Sequence, residues 1–149
     1  MNKDRSVLIL VDVQNDFCPG GAMAVEKGDE VIDPINRLQR RREEGERRLW
    51  KRVVATADWH PTGHIPFAEQ HPGKEPSESV EVEGLQQNLW PVHCVAGTKG
   101  AAFHPRLETE HIDLILRKGT DPRLDSYSAF FENDGVTPTG LHGYLGQFG

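Results

Sequence analysis

The sequence predicts a single α/β domain built on a parallel sheet, and three observations carry that reading. Val7 to Val11 is a β-branched and Leu-rich run without polar alternation, the pattern of a strand covered on both faces, Val53 to Ala57 is a second short β-branched run and Ile112 to Leu116 a third apolar one. The first two are separated by apolar residues at helical spacing, which makes a right-handed βαβ unit. Each run is followed closely by a charged side chain, Asp12, Asp58 and Lys118. Parallel strands deliver all three to one sheet edge, where open parallel sheets place their sites.

The elements follow in order. V-L-I-L-V at Val7 to Val11 is too short for a helix, and Cys18-Pro19-Gly20-Gly21 breaks the chain soon after, so it reads as a buried central strand. Residues 18 to 28 are loop. From Asp29 onward Val31, Ile32, Ile35 and Leu38 recur at helical spacing, with Pro34 acceptable only in the first turn. This helix is expected to run to about Glu44 and to stop at Gly45. Arg37 to Arg52 is rich in arginine, but Glu43, Glu44 and Glu46 interleave with it, as on a solvated face laced with i to i+4 pairs.

Trp59 to His111 shows little periodicity and much Pro, Gly, Ser and His; a loop of that length is usually functional, and it is the expected wall of the site. After the third run, Asp125 to Phe131 is aromatic, and Thr139 to Leu145 opens what reads as a helix. Three strands with one or two helices cannot cover both faces of a parallel sheet. The expectation is a single domain over residues 1–149 that lacks C-terminal strands and helices.

Composition excludes several classes of partner. With 17 basic against 23 acidic side chains and a net charge of −6, the field repels phosphate backbones, so nucleic acid is not a partner. Neither a signal peptide nor a membrane span can be built at the charged N-terminus. Cys18 and Cys94, the two cysteines, provide no disulfide framework and fit a reducing, cytoplasmic setting. Homo-oligomer formation stays open.

Three groups of residues carry candidate chemistry. Asp58 and His60, two apart on an extended segment, face the same way, and with His93 they offer a mixed oxygen and nitrogen set suited to Zn²⁺, Mn²⁺ or Fe²⁺. The competing reading is a capping aspartate with ordinary loop histidines. His64 follows Pro61-Thr62-Gly63 and its direction cannot be inferred. Asp12 with Lys118 is either a structural ion pair or a device that activates a thiol, and Cys18 and Cys94 serve equally well as small apolar residues. Phe17 and Trp90 offer flat faces for a ring-shaped substrate, or fill core.

V-D-V-Q-N-D-F-C-P-G-G at Val11 to Gly21, A-D-W-H-P-T-G-H at Ala57 to His64, W-P-V-H-C-V at Trp90 to Val95 and R-K-G at Arg117 to Gly119 together resemble the nicotinamidases of the isochorismatase-like hydrolase superfamily. Gly97 to Pro105 and Asp125 to Phe131 are similar to segments of the same family. The resemblance implies a doubly wound α/β sheet and hydrolysis of nicotinamide to nicotinate and ammonia through a cysteine thioester, in the service of NAD salvage. It also implies roles. Asp12 and Lys118 are two members of a catalytic triad, Asp58, His60 and His93 hold a divalent metal, zinc or else iron or manganese, and Phe17 and Trp90 line the substrate pocket. His64 matches a position that is a ligand in some members only.

The sequence departs from that family at one point. The nucleophilic cysteine belongs to a later strand-to-helix turn of the form G-x-x-T-D-Y-C-V, which does not occur here, and neither Cys18 nor Cys94 matches it. The chain alone is therefore expected to be inactive. The rival readings are a related isochorismatase-type hydrolase and a non-catalytic metal-binding remnant.

Overall fold

The computed structural model describes residues 6–42 and 48–148. Its elements are β1 (Val7–Val11), α1 (Ile32–Arg40), β2 (Arg52–Asp58), β3 (Ser79–Val82), β4 (Leu85–Asn88), β5 (Leu114–Lys118) and α2 (Leu141–Gly146), joined by loops that contain short 3-10 turns. β1, β2 and β5 form a parallel sheet in the order β1-β2-β5. The register sets Val11 against Thr56 and Asp58 against Lys118, so the three strands end together. This is the parallel α/β arrangement that the apolar runs predict.

The strand order differs from the sequence reading in one respect. β2 holds the middle of the described sheet and is buried from Val53 to Asp58, whereas β1 lies at an edge, with Val11 58% exposed. An apolar run reports that the faces of a strand are covered; it does not report which strands lie beside it.

One face of the sheet makes the core. Leu8 and Leu10 of β1 lie beside Val53 and Ala55 of β2, and Ile32 and Ile35 of α1 pack over them with Leu107 and Val13. Burying a side chain such as Ile32 or Leu10 contributes about 1.5–3 kcal/mol. Pro34 is the third residue of α1, in the first turn, where its missing N–H costs nothing. Beside Ile32, α1 buries Asn36 and Gln39, whose amides donate to the Arg106 and Glu108 carbonyls at 2.7 and 3.1 Å.

The helix ends at Arg40, short of the expected Glu44. Arg41 leaves it with ψ 132°, Arg42 pairs with Arg48 across an antiparallel bridge, and the Trp50 indole N–H donates to the Leu38 carbonyl at 2.9 Å. The Leu38 carbonyl, which also accepts the Arg41 N–H at 3.3 Å, thus takes a second bond from outside the helix. Glu43, Glu44, Gly45 and Glu46 lie outside the described residues. Arg40 forms its ion pair with Glu108 of a distant loop rather than within the helix.

Residues 59–111, read as loop, contain the antiparallel hairpin β3–β4. Glu83 and Gly84, both at positive φ (51° and 81°), close it as a two-residue turn of the kind that matches strand twist. At the other end of the chain, α2 forms where a helix was expected; beyond it the Lys51 ammonium donates to the Phe148 carbonyl at 3.0 Å and Arg52 lies over the Phe148 ring. Among the described residues no helix is long and apolar enough to cross a membrane.

Candidate active site at the strand ends

Asp12 leaves β1 in the left-handed region, φ 51°, a conformation that aspartate tolerates better than most residues but that still costs free energy. Its N–H donates to the Thr56 carbonyl at 3.2 Å, and its Oδ1 accepts the Thr56 hydroxyl at 2.7 Å. The turn thus aims the carboxylate across β2 toward β5. There Lys118, the last residue of β5 and only 2% exposed, places Nζ 3.0 Å from Asp12 Oδ2. The same ammonium donates to Asp58 Oδ1 and to the Ser126 carbonyl, the latter at 2.7 Å, so all three of its donors are used.

Charge settles accordingly. Burial pushes the Asp12 carboxyl above the ordinary carboxylate value, against the pull of Lys118. Burial works to lower the Lys118 ammonium, but Asp58 and Asp12 outweigh it and hold its pKa above the usual lysine value. For Asp58, burial is overcome by His60 and Lys118, and the group titrates below the usual range. The site therefore holds one firmly charged cation beside one carboxylate that accepts a proton more readily than normal.

Beside this pair lies an imidazole cluster. Asp58 Oδ2 is 3.6 Å from His60 Nε2 and 3.9 Å from His93 Nε2. The other ring nitrogens are committed: His60 Nδ1 donates to the Gly119 carbonyl at 2.9 Å and His93 Nδ1 to the Pro91 carbonyl at 2.7 Å. A carbonyl only accepts, so each ring carries a proton on Nδ1 and presents Nε2 to Asp58; beside that carboxylate the His60 pKa is held above its ordinary value in spite of burial. Burial lowers the His93 pKa and keeps that ring neutral. His60 Nε2 is buried without a hydrogen-bond partner among the described residues.

His64 stacks on His60 with ring centroids 4.4 Å apart; both of its nitrogens are buried without a hydrogen bond among the described residues, and its Nε2 is 3.8 Å from Asp125 Oδ1. The donor atoms of Asp58, His60 and His93 lie within 4.8 Å of one another, as do those of His60, His64 and Asp125. Buried nitrogens without partners, converging on a carboxylate oxygen, fit a divalent cation.

Asp12, Asp58, His93 and Lys118 open onto a cavity of about 430 Å³. Phe17 and Trp90 line it as well, whereas His60 is fully buried and does not reach it. Phe17 meets His93 edge-on at 5.7 Å, and the Trp90 indole donates to the Tyr127 hydroxyl at 3.0 Å. Neither cysteine lines this cavity. Both thiols are buried, and burial raises the pKa of each; around Cys94 the charges of Asp58, Asp16 and Asp12 add to the effect.

Sequence reasoning did not single out Asp125, Tyr127 or Gln14. Asp125 and Tyr127 stand in the aromatic stretch that resembled known segments; an acidic residue at the head of that stretch was the available signal. The remaining histidines are local: His71 bonds the Ile65 carbonyl at 2.8 Å and His104 accepts the Arg106 N–H at 3.2 Å.

Comparison with known proteins bears on the whole arrangement. The profile of the family described as Isochorismatase domain matches residues 6–137. A nicotinamidase of Acinetobacter baylyi is 46% identical over 146 residues, covering 98% of this chain and 64% of that protein. The solved structure of an Acinetobacter baumannii nicotinamidase and pyrazinamidase superposes with a TM-score of 0.89 at 48% identity, covering 100% of this chain and 68% of that one. A Pyrococcus horikoshii pyrazinamidase in complex with zinc does so with a TM-score of 0.66 at 34% identity, covering 96% and 64%. The chain thus spans somewhat less than two thirds of the length of the curated relative.

Proposed function

The chain belongs to the isochorismatase-domain family, and from that premise we propose that it carries the acid–base pair, the metal ligands and the ring pocket of a nicotinamidase. The observation that carries this reading is the placement of Asp12 and Lys118, 3.0 Å apart, at a cavity walled by Phe17 and Trp90 and flanked by Asp58 and His93.

The reaction is hydrolysis of an aromatic amide: nicotinamide and water give nicotinate and ammonia. A thiol loses its proton to Asp12, attacks the carboxamide carbon and forms a thioester as the C–N bond breaks. Asp12 hands the proton to the departing nitrogen, and water then releases nicotinate and restores the thiol. Its burial suits Asp12 to both halves, since a carboxyl raised above the ordinary value takes and returns a proton near neutrality more readily. Lys118 stays charged throughout and stabilises the thiolate. Phe17 and Trp90, both lining the cavity, offer the pyridine ring flat faces and so fix the carboxamide relative to Asp12.

Asp58, His60 and His93 would hold the cation, zinc or else iron or manganese, with His64 and Asp125 adjoining, and it would supply Lewis acidity beside the cavity. A zinc complex of a structural neighbour supports the choice of metal. Cys18 and Cys94, buried, outside the cavity and held as neutral thiols, are not the nucleophile in this reading. The 149 residues alone then bind substrate and metal without turning over. The nicotinate formed by the complete site feeds NAD salvage in the cytoplasm, a compartment that two free thiols suit.

The test is a titration of the Zn²⁺-loaded chain with nicotinamide, followed by Trp fluorescence. Saturable quenching that disappears in Phe17→Ala and in Trp90→Ala supports the reading; no change in the parent chain up to millimolar nicotinamide refutes it.

A further inference from the structure

The turn that follows β1 is bonded to the main chain of the ligand set. Gln14 is fully buried, and its amide closes on Asp58 from both sides: the Asp58 N–H donates to Gln14 Oε1 at 2.8 Å, and Gln14 Nε2 donates to the Asp58 carbonyl at 2.8 Å. The second hydrogen of Nε2 goes to the Ala101 carbonyl at 2.9 Å. Two residues on, Asp16 Oδ2 accepts the Cys94 N–H at 2.7 Å and Oδ1 accepts the Ala22 N–H at 3.2 Å.

Cys94 stands at φ 46°, a left-handed conformation for a residue with a Cβ. Such a residue costs on the order of 1–3 kcal/mol and persists only where its surroundings hold it; here the Asp16 carboxylate holds it. The effect extends to both histidines, because His93 immediately precedes the turn and the Cys94 carbonyl accepts the His60 N–H at 3.0 Å. Gly100 completes the seat: its carbonyl accepts the Asp16 N–H at 3.1 Å, and a Cβ there would collide with the Asp16 carboxylate. Gln14 and Asp16 neither line the cavity nor belong to the ligand set.

We propose that Gln14 and Asp16 are positioning residues that hold the main chain at Asp58, His60 and His93 in the geometry that binds the cation. The inference rests on the metal reading of those three residues and adds to it the source of their preorganisation. One three-residue turn, fixed to the end of the strand that also presents Asp12, keeps the acid–base pair and the ligand set in register. Outer groups that orient ligands typically govern metal affinity by 10- to 100-fold.

The experiment uses the whole chain and Co²⁺, whose visible absorption reports coordination geometry as well as occupancy. Affinity by chelator competition and the spectrum are compared in the parent, Gln14→Met, Asp16→Asn and Gln39→Met. The last removes an equally buried amide that bonds the Glu108 carbonyl and touches no ligand. Gln14→Met and Asp16→Asn should each weaken Co²⁺ by about 10- to 100-fold and shift the absorption band, while Gln39→Met lowers the urea midpoint and leaves both unchanged. Asp16→Asn keeps the shape of the side chain and decides the matter alone should Gln14→Met fail to fold. Parent-like affinity and spectrum in Asp16→Asn, or an equal loss in Gln39→Met, overturns the positioning role. A parent chain that binds no Co²⁺ overturns the metal reading and the positioning role together.

Discussion

The two sides of Asp12 are built on opposite terms. Toward β2 and β5 the carboxylate meets Thr56 and Lys118, and Lys118 in turn meets Asp58 and Ser126, all buried and mutually satisfied. Toward the open edge of β1 the same residue borders a cavity of about 310 Å³ whose other walls are Val11, Val13, Phe17, Cys18, Val25, Gly28 and Val31. There Val11, Val25 and Val31 are 58%, 57% and 49% exposed. A charge left unpaired in a low-dielectric site costs several kcal/mol, whereas exposed apolar area costs only about 25 cal/mol per Å². The polar side must therefore be complete within the fold that contains it, and the apolar side need not be.

The largest expected effect tests whether the open side lacks the reactive group. Ammonia release from nicotinamide by the 149-residue chain should stay at the uncatalysed level, since removing the nucleophile from a unit of this kind costs about 10⁶ in kcat. Turnover that vanishes in Cys18→Ala or Cys94→Ala would place the nucleophile within this chain and erase the contrast. Next is Lys118→Met, which leaves Asp12 and Asp58 buried and facing each other; urea unfolding at pH 7 should show a loss of about 3–5 kcal/mol, as for other broken buried pairs.

A smaller effect is expected at Gly119, whose φ is 63° and where a Cβ would come within 2.5 Å of His60 Cε1. Gly119→Ala should weaken Zn²⁺ binding by about 10-fold, read by chelator competition, because it displaces the ring that the Gly119 carbonyl orients. Smallest of all is Val11→Thr on the open side, which should change the unfolding free energy measured in urea by no more than about 0.5 kcal/mol. A large loss there would mean that the apolar side is as tightly determined as the polar one.

The same contrast explains what the sequence could reveal. Strands β1, β2 and β5 and the convergence of Asp12, Asp58 and Lys118 were legible because short, mostly apolar runs that end in charge have few other folded solutions. The edge position of β1 was not, since lateral order depends on pairing between distant segments. The hairpin β3–β4 was hidden by its brevity: only Val80 and Val82 alternate in it. The end of α1 is set by Trp50, outside the helix. Gln14 and Asp125 escaped notice because their roles lie in partners far along the chain, 44 residues away in the case of Gln14 and Asp58.

The hairpin has a further consequence for how such a protein can diversify. Among the described residues β3 and β4 pair only with each other and join no strand of the parallel sheet, yet β4 ends at Asn88, which lines the cavity of about 430 Å³ two residues before Trp90. Insertions or deletions around Glu83-Gly84 therefore reshape the mouth of the pocket without sliding β1, β2 or β5 past one another. Change in the shape of the cavity can act on this ribbon while the strand ends keep their arrangement, so the two parts are free to evolve at different rates.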